Sequence, residues 1–379
     1  MKHLKPFALF EAQASNTLSP QQQAFLDRYT EGTWSVNPAT GLVDVRGSFD
    51  CSGGRLESLA GIRFGTVRGG FNCTYNDLTD LEGAPETVGE SFYCEYNELT
   101  SLVGAPQMVK GGFYCSNNFL TDLVGAPQKV GGSFYCHYNL LTSLKGAPKT
   151  VGGGFSCANN RLTSLAGAPK KVGGYFSCAN NLLTSLVGAP ENVEGDFECG
   201  ENQLTDLVGS PHTVTKNFHC ANNLLTSLVG APQTVSVHFN CEHNQLTSLA
   251  GAPQTVEGHF LCSNNQLISL VGAPQTVTGG FVCYVFQLKP GQWNLAGWFQ
   301  VLHTGSPEVR ELILTLPYLQ PQYWLDLHRS DRQKFNARWL PYRRDPEVRS
   351  SPLWQQVEQA LPGRAQSNLD DLEMLRDFT

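Results

Sequence analysis

The sequence predicts a β-rich solenoid: a right-handed coil on a parallel sheet, with a short N-terminal helical cap and a C-terminal all-α domain. Three observations carry that prediction. Cysteines stand at Cys51, Cys73, Cys94, Cys115, Cys136, Cys157, Cys178, Cys199, Cys220, Cys241, Cys262 and Cys283, with a first step of 22 residues and every later step of 21. Each lies in the unit V-x-G-x-F-x-C-x-x-N-x-L-T-S-L-x-G-A-P-x-x. Outside residues 45–288 the period is absent, which divides the chain into 1–44, about twelve repeats over 45–288, and 289–379. A unit this short cannot bury its apolar side alone, so copies stack and share one core.

Within the unit, G-x-F-x-C alternates with the period of a strand, Phe and Cys inward. Stacked copies then form a parallel sheet rising ~4.8 Å per coil, and twelve coils span on the order of 55 Å. An Asn follows three residues after the Cys, from Asn76, Asn97 and Asn118 through to Asn265. It stands where the chain turns, and its amide is placed to bond backbone groups of neighbouring coils as a ladder. Gly54 takes that place in the first copy and Phe286 in the last, as expected of degenerate capping repeats. The Leu pair and the Val fill the other inner slots. The Pro of G-A-P has no N–H and belongs on an outer bend, while the Gly supplies positive φ or close approach.

The cysteine column reads as buried, reduced thiols, because free Cys packs as a small hydrophobe. A ~4.8 Å step admits a disulfide by Cα distance, but side chains in a parallel stack point alongside one another, which suits that bond poorly. No C-x-x-C cluster offers a zinc site.

Both flanks differ from the repeat. LSPQQQAFLDRYTEG reads as a helix with Ser19 as N-cap, Pro20 in the first turn and Gly32 near the end. It would shield the open edge of the first coil. After residue 288 the cysteines stop and Trp293, Trp298, Trp324, Trp339 and Trp354 gather. SPEVRELILTL and SPLWQQVEQAL carry helical spacing, with Glu308 and Glu358 as capping-box-like acids or surface charges. NLDDLEMLRDFT reads as a further helix or a docking peptide. Residues 289–379 hold eleven basic and eleven acidic residues, so the formal charge of −7 lives in the repeats and the N-terminal segment.

That balance bounds the partner classes. Nothing is basic enough for an electrostatic nucleic-acid binder. No stretch approaches the ~18 apolar residues of a membrane span. The start MKHLKPFALFEAQAS mimics a signal peptide, with Lys2, Lys5 and an A-x-A at Ala12–Ala14. Its apolar run Pro6–Phe10 is shorter than the ~7–15 residues a secretory core needs, and Glu11 breaks it. The expectation is a soluble, non-secreted, cytoplasmic protein.

F-x-C-x-x-N-x-L resembles the core of leucine-rich repeats, with Phe and Cys in the first two apolar slots. L-T-S-L-x-G-A-P is similar to the short bacterial type, whose convex side runs in extended, Pro-bearing segments. The resemblance covers about residues 45–288. Some bacterial relatives of this type carry a C-terminal ubiquitin-ligase domain with a cysteine nucleophile; no cysteine follows Cys283, so that activity does not carry over. The opening MKHLKPFALFEAQ, the stretch GTWSVNPATGLVDVRGSFDCS and the Trp-rich end together resemble a repeat group of bacteriophages and bacteria. Leu9-Phe10-Glu11 is similar to the L-x-E site of phage head-maturation proteases, which implies a leader cut after Glu11.

No G-x-S-x-G, H-E-x-x-H or G-x-x-x-x-G-K motif is present, and no cofactor is expected. The outward positions vary on a fixed scaffold, which is where binding is tuned. Tyr93, Tyr114 and Tyr135 fall in consecutive copies between Phe and Cys, and Tyr75, Tyr96 and Tyr138 with His137 lie beside them. Such a cluster anchors a protein partner or simply stabilises the sheet by cross-strand stacking. A second outward group, Asp196, Glu198, His219, His238, Glu242 and His259, has the residue types for a metal or a pH-sensitive patch but not the regularity of a ligand set. The sequence therefore reads as a non-catalytic scaffold that grips a protein on the concave face of its sheet, with no nucleic-acid or membrane partner. The alternatives are a virion structural component, and an enzyme using His303 or His328 with nearby carboxylates in the helical end.

Overall fold

The computed structural model describes residues 18–59, 61–267, 270–283, 321–333, 339, 349 and 352–361. The leader through Glu11, Phe286, Trp293, Trp298, His303, Glu308 and the terminal NLDDLEMLRDFT lie outside the described residues.

Helix α1 (Pro20–Tyr29) begins as its sequence dictates. The Ser19 hydroxyl accepts the Gln22 N–H at 3.2 Å, and the Gln22 side-chain oxygen accepts the Ser19 N–H at 2.9 Å, a reciprocal cap. The helix buries Leu26 and sets Phe25 and Tyr29 against Phe49, ring centroids 5.8 and 6.3 Å away. It ends at Tyr29 because Thr30–Glu31 turns into a strand antiparallel to Ser48–Asp50. Trp34–Val36 likewise pairs antiparallel with Val43–Val45. Two antiparallel strands thus cover N-terminal edges that parallel pairing would leave open.

From there the chain winds as a parallel β-solenoid. Each coil contributes to two sheets rather than one. The first sheet stacks Phe71–Asn72, Phe92–Tyr93, Phe113–Tyr114 and their successors to Phe281–Val282; the second stacks Phe64–Val67, Thr87–Val88 and their successors to Thr276–Val277. Register is the repeat period itself, Phe on Phe and Val on Val. The sequence reading missed the second sheet because its unit offers one inward apolar residue, the Val, where F-x-C offers two in alternation.

The interior is built from columns. Phe rings stack along the coil with centroids 5.2–5.7 Å apart. All twelve cysteines are free and buried. Most lean on the next coil, as Cys73 and Cys136 do by donating Sγ–H to the carbonyls of Tyr93 (3.2 Å) and Ser156 (3.3 Å). Burial pushes the Cys51 and Cys157 thiols up to about 12, with the Asp50 carboxylate adding to the effect at Cys51, and raises those of Cys73, Cys94, Cys115 and Cys136 as well.

The buried Asn side chains join coil to coil. Asn139 donates its amide to the carbonyls of Cys115 (3.1 Å) and Cys136 (3.1 Å), and its Oδ1 accepts the Leu120 N–H at 3.0 Å. Asn97, Asn181 and Asn223 repeat the pattern. One side chain thereby satisfies three backbone groups drawn from two coils, where the chain leaves the sheet and could not otherwise pair them.

The T-S-L-x-G-A-P segment is a sequence of turns. The Ser or Asp accepts the N–H two residues on, Ser101 from Val103 at 3.1 Å and Asp122 from Val124 at 2.9 Å. The following Leu carbonyl accepts from Ala, Leu102 from Ala105 at 3.0 Å. Gly104 sits at φ +93, and a Cβ there would meet the Leu81 oxygen of the preceding coil at 2.7 Å. Only glycine meets both demands.

Of the C-terminal segment, helices α2 (Pro321–Ser330) and α3 (Pro352–Ala360) are described. Trp339 lies between Trp324 (4.7 Å) and Trp354 (4.4 Å, planes 4° apart). Glu358 is neither a cap nor a free surface charge: late in α3, its carboxylate accepts the Trp339 indole N–H at 2.9 Å. No helix among the described residues is long and apolar enough to cross a membrane.

Two outcomes follow from the columns. Asn139→Ala strands buried backbone groups at about 1–3 kcal/mol each, so urea unfolding should show a loss on the order of 3 kcal/mol, against under about 1 kcal/mol for Thr142→Ala on the exposed turn. Iodoacetamide should leave Cys73 through Cys262 unlabelled in the native protein at neutral pH and label them only on denaturation, since burial keeps the thiolate unpopulated.

Candidate functional site

Three outward columns run side by side through the first sheet: the residue before each Cys, the residue after it, and the one beyond that. The structure places every tyrosine singled out from sequence on this face. In the column before Cys, Tyr93 and Tyr114 stack at 4.9 Å with planes 12° apart, and Tyr135 meets Tyr114 edge-on at 5.1 Å. Two residues past Cys, Tyr75 and Tyr96 stack at 4.4 Å and 7°. Tyr138 packs its edge on His137 at 5.6 Å, and His137 lies 5.9 Å from Tyr135, so the two tyrosine columns meet there. Tyr75, Tyr96 and Tyr138 are 61%, 48% and 56% exposed.

Sequence reasoning missed Tyr175. It stands one place before Phe176, not after it, yet its ring reaches Tyr135 at 5.8 Å. The signal was in the glycines. A Cβ on Gly154 would meet the Tyr175 ring at 2.6 Å, and one on Gly112 the Tyr114 ring at 2.5 Å. Glycine at those places gives the rings room to lie flat on the sheet.

A second missed feature is backbone strain. The position two past Cys is left-handed in coil after coil: Tyr75 φ 53, Tyr96 φ 54 and Tyr138 φ 52. The same place holds Asn117, Asn159, Asn180, Asn222 and Asn264, and also Glu201 and His243, all at positive φ. Asn tolerates that conformation; a bulky tyrosine there is an outlier.

Between the tyrosine columns runs the column directly after Cys: Thr74, Glu95, Ser116 and His137. Ser116 Oγ and His137 Nδ1 lie 3.1 Å apart, and Thr74 Oγ1 donates to Asn72 at 2.8 Å. Glu95 differs, for its Oε2 is buried and has no hydrogen-bond partner. Burial raises the Glu95 carboxyl above the usual range and lowers His137. Burial, then the neighbouring Tyr93, Tyr135 and Glu95 charges, raise the Tyr114 phenol.

The acidic and histidine group does different work. Asp196 Oδ1 accepts the Asn217 N–H at 3.0 Å, Asn217 Oδ1 accepts the His238 N–H at 3.0 Å, His238 Nδ1 accepts the His259 N–H at 2.9 Å, and His259 Nδ1 accepts the Gly280 N–H at 2.7 Å. Ser48, Ser91 and Ser133 hold the same place in earlier coils and accept from Gly70, Gly112 and Gly154. Asp196, His238 and His259 thus staple the bend between the sheets. Glu198 and His219 are neighbours in register in the next column, and Glu242 lies one column further on. Among the described residues no three His, Cys, Asp or Glu converge as a metal site. His328 lies on α2, where burial and then Arg332 and Arg329 lower its pKa.

Because the Glu95 pKa is higher folded than unfolded, ionisation disfavours the fold, and stability from this group rises as pH falls through the raised value. Glu95→Gln removes that dependence. The unfolding free energy of wild type relative to Glu95→Gln should therefore increase from about pH 7 to about pH 4; a flat difference contradicts the assignment.

No protein-family model matches the chain, and a search of curated proteins finds no match. Among solved structures, YopM from Yersinia enterocolitica WA-314 is similar at 19% identity with a TM-score of 0.45, over 64% of this chain and 58% of that one. A second structure, of YopM, a leucine-rich effector protein from Yersinia pestis, is similar at 17% identity with a TM-score of 0.44, over 63% of this chain and 74% of that one. The chain thus spans little more than half the length of the first of these, 58%.

Proposed function

We propose that the chain is a non-catalytic scaffold that binds a protein partner on the tyrosine-bearing face of its first sheet. The observation that carries this is the choice of tyrosine in three early coils at a left-handed position where five other coils use Asn, the residue that tolerates it best. A strained backbone position costs about 1–3 kcal/mol, while an aromatic pair returns about 0.5–1.5 kcal/mol. Stability alone therefore does not favour Tyr75, Tyr96 and Tyr138 over Asn, whereas exposed tyrosines that sit rigidly are efficient interface anchors. Tyr93, Tyr114, Tyr135 and His137 extend the same surface. A phage origin fits the resemblance of the opening and closing segments. The virion alternative, in which the repeats only set a length, adds a leader cut after Glu11, and the enzyme alternative draws on His303 and His328; the leader and His303 lie outside the described residues, and His328 lies on α2.

The discriminating experiment is the pair Tyr75→Asn with Tyr96→Asn, beside Tyr114→Ala with Tyr135→Ala. Affinity capture from the native host, with mass spectrometry, should lose the wild-type partner with both variants. The Asn pair should shift unfolding by no more than about 1 kcal/mol. Retention of the partner, or a stability loss several times larger, would assign the tyrosines to the sheet instead.

A further inference from the structure

We propose that Glu95 and the tyrosines on either side of it form a receptor for an arginine side chain of the partner protein; this rests on the scaffold reading above and names what the face recognises. The column between the tyrosines has its polar groups committed at Thr74, Ser116 and His137, each with a hydrogen bond inside the fold. Glu95 is the exception among these four; Ser263, further along the same column, also has an unpartnered buried hydroxyl but has no tyrosine beside it. Its Oε2 is buried without a partner, in a coil whose outward neighbours are Tyr93 and Tyr96. A buried acceptor left open is costly, and Glu95 is only half-buried on the outward side of the sheet, so a rotation of its side chain is enough to bring the carboxylate to a ligand.

The surrounding charge selects a cation. Asp50 lies in the column before Cys, Asp77 and Glu98 stand one place past the Asn in the Tyr75 and Tyr96 coils with Arg55 in their register in the first coil, and no ion pair engages these acids among the described residues. The chemistry selects a guanidinium. It is planar, weakly hydrated, donates to a carboxylate in a fork, and packs on aromatic rings, whereas a lysine ammonium loses more on leaving water. The column of Tyr75 ends at Gly53, where a Cβ would find open space, so the ring is uncovered on that side.

The same column supplies an internal control. Glu242 occupies the equivalent place seven coils on, with Asn240 before it and His243 after it and no tyrosine at either. A fluorescein-labelled peptide of alternating glycine and arginine, its citrulline counterpart and its lysine counterpart are titrated into the full chain at about 0.15 M salt. The arginine peptide should bind saturably and at least about tenfold more tightly than the other two. Glu95→Gln, and Glu95→Ser as the residue used at 116, should each weaken it about tenfold, and Glu242→Gln less than about twofold. Equal loss with the two Gln variants would mean long-range charge alone, and no loss with the Glu95 variants, or equal binding of the lysine peptide, would also overturn the receptor. If the Glu95 variants spare the peptide while the Tyr75 and Tyr96 pair still loses the captured partner, the arginine receptor fails and the scaffold stands. If that pair keeps the partner, the scaffold reading fails whatever the peptide does.

Discussion

A single carboxamide per coil, buried where the chain leaves the sheet, is the interaction on which the rest depends. Asn118 shows the arithmetic: it donates to the carbonyls of Cys94 and Cys115 and accepts the Leu99 N–H, so backbone from two coils closes on one side chain. A sharp bend in a dry interior would otherwise strand those groups, and no other side chain offers two donors and an acceptor in so little volume. The left-handed residue just before the Asn follows from the same demand, since the chain must turn to aim the amide inward while its own N–H still pairs with the next coil, as Tyr96 N–H does with the Ser116 carbonyl at 3.2 Å.

Once that spine is in place, the outward columns are free to differ. One column, ahead of Phe, is used for staples between adjacent coils: Ser48, Ser91 and Ser133 alternate with the glycines that donate to them, and Asp196, Asn217, His238 and His259 follow in succession. The columns around Cys concentrate tyrosine in the early coils and small or polar residues later, as Ser156, Ser177, Ala158 and Ala179 show. The face is therefore graded along the coil although the core beneath it is uniform. Function, on this account, is a local decoration of a repetitive support.

Much of this was legible from sequence, for a physical reason. Inward Phe, Cys and Leu repeat because each copy meets the same environment, and an evenly phased Asn has few roles other than bonding backbone. The N-terminal helix was readable from Ser19 and Pro20, because caps are local chemistry. What escaped was either too short or too conditional. Strands such as Thr87–Val88 bring only one inward apolar residue, with no second to set a period, and a left-handed Tyr96 looks like any other tyrosine until its φ is seen. His238 and His259 looked like ligands because their type is visible in sequence, while the backbone N–H groups that occupy their Nδ1 atoms are not. Tyr175 was hidden by its place in the unit and Glu95 by the absence of any motif for an unpartnered acceptor.

Amide hydrogen exchange at the leucines that donate to the Asn column tests the central claim most directly. The account predicts that Leu78, Leu99, Leu120 and Leu162 N–H groups exchange as slowly as the strand amides of Cys94 and Cys115, only through opening of neighbouring coils together. Exchange as fast as at the exposed turn amides of Val103 and Val187 would contradict it, because the Asn side chains would then not be holding the backbone closed.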